Sequence, residues 1–206
     1  DTRFPSWYEE NQEKAVAEDR LHEVGRILKL GPENYPRPQL ERAGCSPEDI
    51  THLVLTHGDI DHVGRIHEFG HAKLVLGEAE RAMERPRYFG DVPRMRWPEH
   101  ADERLVDEDT ELVPGVTLLL TPGHTPGHLS LLLRLRNTGA VVLTGDAINR
   151  AQEIEEDRYS GAWDETLVRA SARRLLDIVE RENAFLVYGH DPQQWGTLRK
   201  TPEYYD

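Results

Sequence analysis

The feature that most restricts this chain is a layout used four times: an apolar, β-rich run ends, and a histidine or aspartate follows within a few residues. The first case is Leu53-Val54-Leu55-Thr56-His57, continuing to Asp59, Asp61 and His62. The second is Leu118-Leu119-Leu120-Thr121, leading to His124 and His128. The third is Val141-Val142-Leu143-Thr144-Gly145-Asp146, and the fourth is Phe185-Leu186-Val187-Tyr188-Gly189-His190-Asp191. Strand ends gathered on one edge of a sheet can build a site from residues far apart in sequence. Imidazoles and carboxylates collected there can hold one or two first-row metals.

Helix and strand patterns alternate around these segments. The first thirty residues read helical, with Ser6 as a cap and Leu21, Val24, Ile27 and Leu28 at helical spacing. The three prolines of 32–38 predict a loop, followed by a short helix at 39–43 and a capped turn at Ser46-Pro47-Glu48-Asp49. Helix is expected over 61–69, strand over 73–76 and helix over 78–85. Strands follow near 104–106, 110–113, 116–121, 129–135 and 140–144, and a last one at 184–188. Asp164 is placed to cap a helix whose face of Leu167, Ser171, Leu175 and Ile178 reads as core. Neither a repeat nor a break in composition divides the chain, which predicts one domain, 1–206, of the α/β or α+β class.

Charge and cysteine usage narrow the chemistry. Lys and Arg number 25 against 38 Asp and Glu, a net charge of -13 that repels nucleic acid and anionic lipid. No apolar run approaches the ~20 residues of a membrane helix, and no signal-like start is present, so a cytoplasmic protein is expected. The single Cys45 excludes an intrachain disulfide framework. Ten histidines are the notable excess. Of these, His22, His52, His67, His71 and His100 read as solvent-facing or locally bonded.

Together the motifs resemble the metallo-β-lactamase superfamily: His-x-His-x-Asp-His, a His after Pro-Gly, an Asp after Gly, and a last His. The resemblance runs from about Thr51 to Asp191. Within the superfamily the chain is similar to N-acyl homoserine lactonases, sharing Thr-Pro-Gly-His-x-x-Gly-His and a final Gly-His-Asp. It implies an αββα sandwich with metals at one edge of two sheets. It further implies that His57 and His124 bind a first metal, that Asp61, His62 and His190 bind a second, and that Asp146 bridges them, with His128 supporting the ligands from behind. Two divalent ions about 3.5–4 Å apart would lower the pKa of a bridging water, and the hydroxide would attack an ester, lactone or thioester carbonyl. Asp61 would be the catalytic residue, orienting the hydroxide and relaying its proton. The implied partner is a small molecule, not nucleic acid or membrane, with a homodimer as an open option. A glyoxalase-II-type thioesterase, a phosphodiesterase, a non-haem di-iron redox protein and a noncatalytic metal-binding module are the alternatives.

Two positions depart from the family pattern. Asp59 stands where the second histidine belongs; a hard anionic ligand there favours iron or manganese over zinc. Asn149 stands where homoserine lactonases tend to carry a tyrosine, and Tyr159 is a candidate to replace it. Segment 86–103, with Tyr88, Phe89, Arg94, Arg96 and Trp97, is expected to form an ordered lip beside the metals. The sandwich also needs strands ahead of His57, yet only Leu53–Leu55 is convincing. Asp1-Thr2-Arg3 resembles the Asp-Thr-Gly that closes an early strand in the superfamily. The parent protein is therefore expected to extend upstream by on the order of 30–60 residues.

Overall fold

A computed structural model describes residues 1–5, 13, 31–83, 102–159 and 161–206. The helical pattern expected over the first thirty residues lies almost wholly outside these, as does the end of the helix expected over 78–85. The chain forms two compact units, Asp1–Val75 with Arg81–Leu105, and Leu76–Glu80 with Val106–Asp206.

In the first unit the prolines of 32–38 do not make a loop. They start helices: a 3-10 turn at Pro32–Asn34, then α1 at Pro36–Arg42. The first N–H groups of a helix have no partner inside it, so a proline in the opening turn loses nothing and arrives with its φ already set. Strand β1 (His52–Val54) pairs in parallel with β2 (Lys73–Gly77), Leu53 opposite Leu74, and β3 (Glu103–Val106) completes a three-stranded sheet in the order β1-β2-β3. The helix expected over 61–69 is broken into α2 (Ile60–Val63) and a 3-10 turn at Ile66–Phe69. The break has a cause in the chain around Thr2. Gly64 N–H donates to the Arg3 carbonyl (2.7 Å), and Arg65 N–H to Thr2 Oγ1 (3.0 Å), in place of helical partners. Ile60, Val63, Ile66 and Phe69 all remain buried, so one apolar face survives the interruption.

The second unit opens with α3 (Glu78–Arg81) and contains a five-stranded sheet. Its strands are β4 (Thr110–Val113), β5 (Val116–Leu120), β6 (Leu129–Leu135), β7 (Gly139–Leu143) and β8 (Phe185–Val187), paired in that order. The first three pairings are antiparallel, and β7 runs parallel to β8. A parallel pair needs a long crossover, which here carries α4 (Ala151–Glu156) and α5 (Glu165–Glu182). Asp164 caps α5, accepting from Thr166 N–H (2.8 Å) and Leu167 N–H (3.0 Å). The buried stripe of α5 is Val168, Ser171, Ala172, Leu175 and Ile178, against Leu119, Leu132 and Val142 of the sheet. Leu167, expected in that stripe, is 37% exposed, because Val168, one residue on, lies at the centre of the 3–4 spacing. After β8, α6 (Pro192–Thr197) is capped by Asp191. Among the described residues no helix is long and apolar enough to cross a membrane.

Candidate metal ligands

In the first unit the ligand-type residues occupy the turn after β1, with His57 and Asp59, and α2 itself, with Asp61 and His62. His57 and Asp59 are almost fully enclosed and His62 nearly so. Asp59 is the α2 N-cap, its carbonyl accepting from His62 N–H (2.8 Å), and this puts the two imidazoles side by side with ring centroids 4.0 Å apart. Donor accounting places a hydrogen on His57 Nδ1. Thr56 Oγ1 has one hydrogen, which the Asp1 carboxylate takes at 2.9 Å. The Thr56 oxygen must then accept from His57 Nδ1, 3.0 Å away. His57 Nε2 then faces Asp59 Oδ2 at 3.4 Å. An imidazole nitrogen and a carboxylate oxygen brought together in a buried site are a donor set for a divalent metal. His62 is flanked on both sides by carboxylates, Asp1 Oδ2 at 3.1 Å from Nδ1 and Asp61 Oδ2 at 3.4 Å from Nε2.

In the second unit the residues come from three separate strand ends. Asp146 sits in a 3-10 turn directly after β7 and is buried. Its two oxygens face different histidines: Oδ2 is 3.5 Å from His124 Nε2, and Oδ1 is 3.2 Å from His190 Nε2. A carboxylate so placed can ligate two ions, one with each oxygen. His190 follows β8, with its N–H on the Asn149 carbonyl (3.0 Å), and its ring is half exposed. His124 lies on the loop between β5 and β6. Trp163 N–H donates to the His124 carbonyl (3.0 Å) and Asp164 N–H to the Gly123 carbonyl (2.9 Å), tying that loop to the start of α5. His128 is fully buried and both its ring nitrogens are engaged inside the unit, Nδ1 with Thr121 Oγ1 (2.9 Å) and Nε2 with the Asp146 main-chain N–H (2.9 Å).

The remaining expectations fall unevenly. Tyr88, Phe89, Arg94, Arg96 and Trp97 lie outside the described residues. Tyr159, expected at a substrate lip, packs instead in the buried cluster of the second unit with Leu119, Ile148 and Leu175. Its aromatic body and the apolar wall around it outweigh exposure of one hydroxyl. Asn149 is buried, and Glu153 accepts from its main-chain N–H (2.6 Å) and, at 3.4 Å, from its amide nitrogen. His67 and His71 are exposed as expected.

Several supporting residues were not singled out from the sequence. Glu80 is fully buried, and its Oε2 accepts from Thr125 Oγ1 (2.6 Å) and Gly127 N–H (3.2 Å), clamping the loop that carries His124. Thr56, Thr121 and Thr144 are buried at three of the four strand ends. A signal for them existed: three apolar runs end in the same pair, Leu55-Thr56, Leu120-Thr121 and Leu143-Thr144.

Residues 23–190 match the metallo-beta-lactamase superfamily, and the chain belongs to that family. Its mixed helices and sheets are the metallo-beta-lactamase fold. An N-acyl homoserine lactonase of Bacillus cereus is 33% identical over 201 residues, spanning 93% of this chain and 78% of the relative. The N-acyl homoserine lactonase AttM of Rhizobium radiobacter is 32% identical over 179 residues, 81% of this chain and 68% of the relative. A solved N-acyl homoserine lactone hydrolase, with N-hexanoyl-L-homoserine bound at its catalytic metal center, superposes with a TM-score of 0.79 at 29% identity, covering 100% of this chain and 80% of its own. With these relatives the chain is a lactonase-like, metal-dependent hydrolase.

Proposed function

We propose that the two ligand sets act as one dinuclear centre, within a single catalytic domain, and that the enzyme opens the lactone ring of an N-acyl homoserine lactone. The observation that carries this reading is the 33% identity with an N-acyl homoserine lactonase over 93% of the chain. His57 and His124, with Asp59 adjacent, would hold one ion; Asp61, His62 and His190 would hold the other; and Asp146 would serve both. When bound, such a pair supplies a nucleophile from water near neutral pH and a Lewis acid for the carbonyl. Asp61 is partly exposed at the mouth of its turn, where it can take a proton from the attacking water and return it to the leaving alkoxide. The Asp59 carboxylate makes iron or manganese a better occupant than it would be with three neutral imidazoles. A net charge of -13 disfavours nucleic acid and an anionic membrane as partners, in keeping with a small-molecule substrate.

The test is ring opening of N-hexanoyl homoserine lactone, followed by mass as the gain of one water. It is run on protein loaded in turn with zinc, manganese and iron(II), beside a thioester and a phosphodiester. Ring opening dominated by one metal is the expected result. Turnover of the thioester or phosphodiester with no lactone opened would replace this reading.

A further inference from the structure

The second unit contains a chain of buried hydroxyls that ends on an expected metal ligand. Thr121, His128, Ser130 and Thr144 are all completely buried. They come from three strand ends: Thr121 follows β5, His128 and Ser130 sit at the start of β6, and Thr144 follows β7. One arrangement of their hydrogens satisfies every group. Ser130 Oγ has one hydrogen, and it goes to the Thr144 carbonyl (2.7 Å). Ser130 therefore meets Thr121 Oγ1 (2.8 Å) as an acceptor, and Thr121 gives its own hydrogen to Ser130 or to the more distant His128 carbonyl (3.5 Å). The Thr121 oxygen is left with only lone pairs for His128 Nδ1 at 2.9 Å, so Nδ1 carries the hydrogen. The other end of the ring gives the same answer independently. The Asp146 main-chain N–H is directed at His128 Nε2 (2.9 Å), so Nε2 must be bare.

We propose that His128 is a positioning residue that seats Asp146 through its main chain, and that Thr121 and Ser130 lock the imidazole in the one tautomer able to do so. The opposite tautomer would set Nε2–H against the Asp146 N–H, two donors facing each other in a space that water does not reach. Asp146 lies in a short 3-10 turn whose own bonds do not hold that N–H, so the imidazole takes the place of a missing carbonyl. The hydroxyl of Thr144 extends the same seat. It lies within bonding reach of the Ile148 carbonyl (2.8 Å) and of the Val187 carbonyl (3.1 Å), the latter on the strand that leads to His190. Outer partners of this kind are worth about 10–100-fold in metal affinity elsewhere. The inference rests on Asp146 being a ligand, but the tautomer can be read without any metal.

Two measurements decide it. Long-range proton–nitrogen correlation spectra of metal-free, histidine-labelled protein should show His128 with its hydrogen on Nδ1 and a bare Nε2. Thr121→Val keeps the volume and removes the acceptor. It should give mixed tautomers and a metal affinity lower by about 10–100-fold, and Thr121→Ser should restore both. If Thr121→Val fails to fold, Ser130→Ala is read in the same two ways. A native spectrum with the hydrogen on Nε2 overturns the proposal. So does Thr121→Val, or Ser130→Ala in its place, with an unchanged tautomer and native metal affinity. Protein that takes up no metal at all would instead count against the dinuclear reading, with the His128 spectrum still deciding the tautomer.

Discussion

The two units present ligands in opposite ways. In the first, His57, Asp59, Asp61 and His62 lie within one turn, and local geometry does most of the placing: a strand end, the Asp59 N-cap and a one-turn helix. In the second, His124, Asp146 and His190 come from three strand ends, and each is held by partners distant in sequence, namely Glu80, His128 and the Asn149 carbonyl. A local motif is positioned by its own backbone, whereas a dispersed set is positioned by tertiary hydrogen bonds. The second is therefore more exposed to substitutions that touch no ligand.

The largest effect that could break this contrast comes from the ligands themselves. Asp146→Ala is expected to lower kcat/KM for the lactone by about a thousandfold or more, since it removes a group facing two histidines at once. Asp59→Ala should cost far less. Steady-state kinetics with metal analysis compares them, and equal losses would show that the two units contribute alike. Next is Glu80→Ala, which leaves the Thr125 hydroxyl and Gly127 N–H without their acceptor. Urea unfolding should register a loss of about 1–3 kcal/mol. Glu80→Gln, with one oxygen able to take both bonds, should lose less; an equal loss would mean the charge matters and not the acceptor.

A smaller effect sharpens the contrast from the other side. Asp59→His should raise preference for zinc over manganese by roughly tenfold, about 1.4 kcal/mol, without unfolding the first unit. Competitive loading read by elemental analysis checks it, and an unchanged ratio would remove Asp59 from the metal's surroundings. The smallest effect is Tyr159→Phe. Burial, and then the charges of Asp157 and Glu153, push the Tyr159 hydroxyl above its ordinary value of 10. Because the unfolded chain ionises first, stability should hold below pH 10 and fall as pH rises from there through the folded value. Unfolding curves at pH 9 and pH 11 should show this decline blunted in the phenylalanine variant, and identical declines would contradict it.

What could be read from the sequence followed the same division. The four strand ends were visible because a run of large apolar residues needs burial and gives way at once to polar residues and glycine. The α5 cap and most of its buried face were visible because capping and helical spacing are local. Other features depend on what the chain meets elsewhere. Proline at 36 and 38 reads as a breaker, although the first turn of α1 accepts it at no cost. The run Ala-Gln-Glu-Ile-Glu-Glu of α4 has no apolar period to announce a helix. The helix over 61–69 looked continuous because its interruption comes from Thr2 and Arg3. Glu80 has nothing local to mark it, and only the return of the loop at 125–127 makes it a buried acceptor.

Gly123 and Gly127 bracket His124, and each lies where a side chain would strike main chain. A Cβ on Gly123 would run into the backbone of Val168 and Leu167, and one on Gly127 into the backbone of Glu80. In a saturation scan, both positions should behave as all-or-none, with alanine as damaging as tryptophan, since neither wall can rotate aside. The map of intolerance around His124 would therefore show two sharp peaks at residues with no chemistry of their own. A survey that ranks functional residues by mutational sensitivity alone would score them beside the ligands.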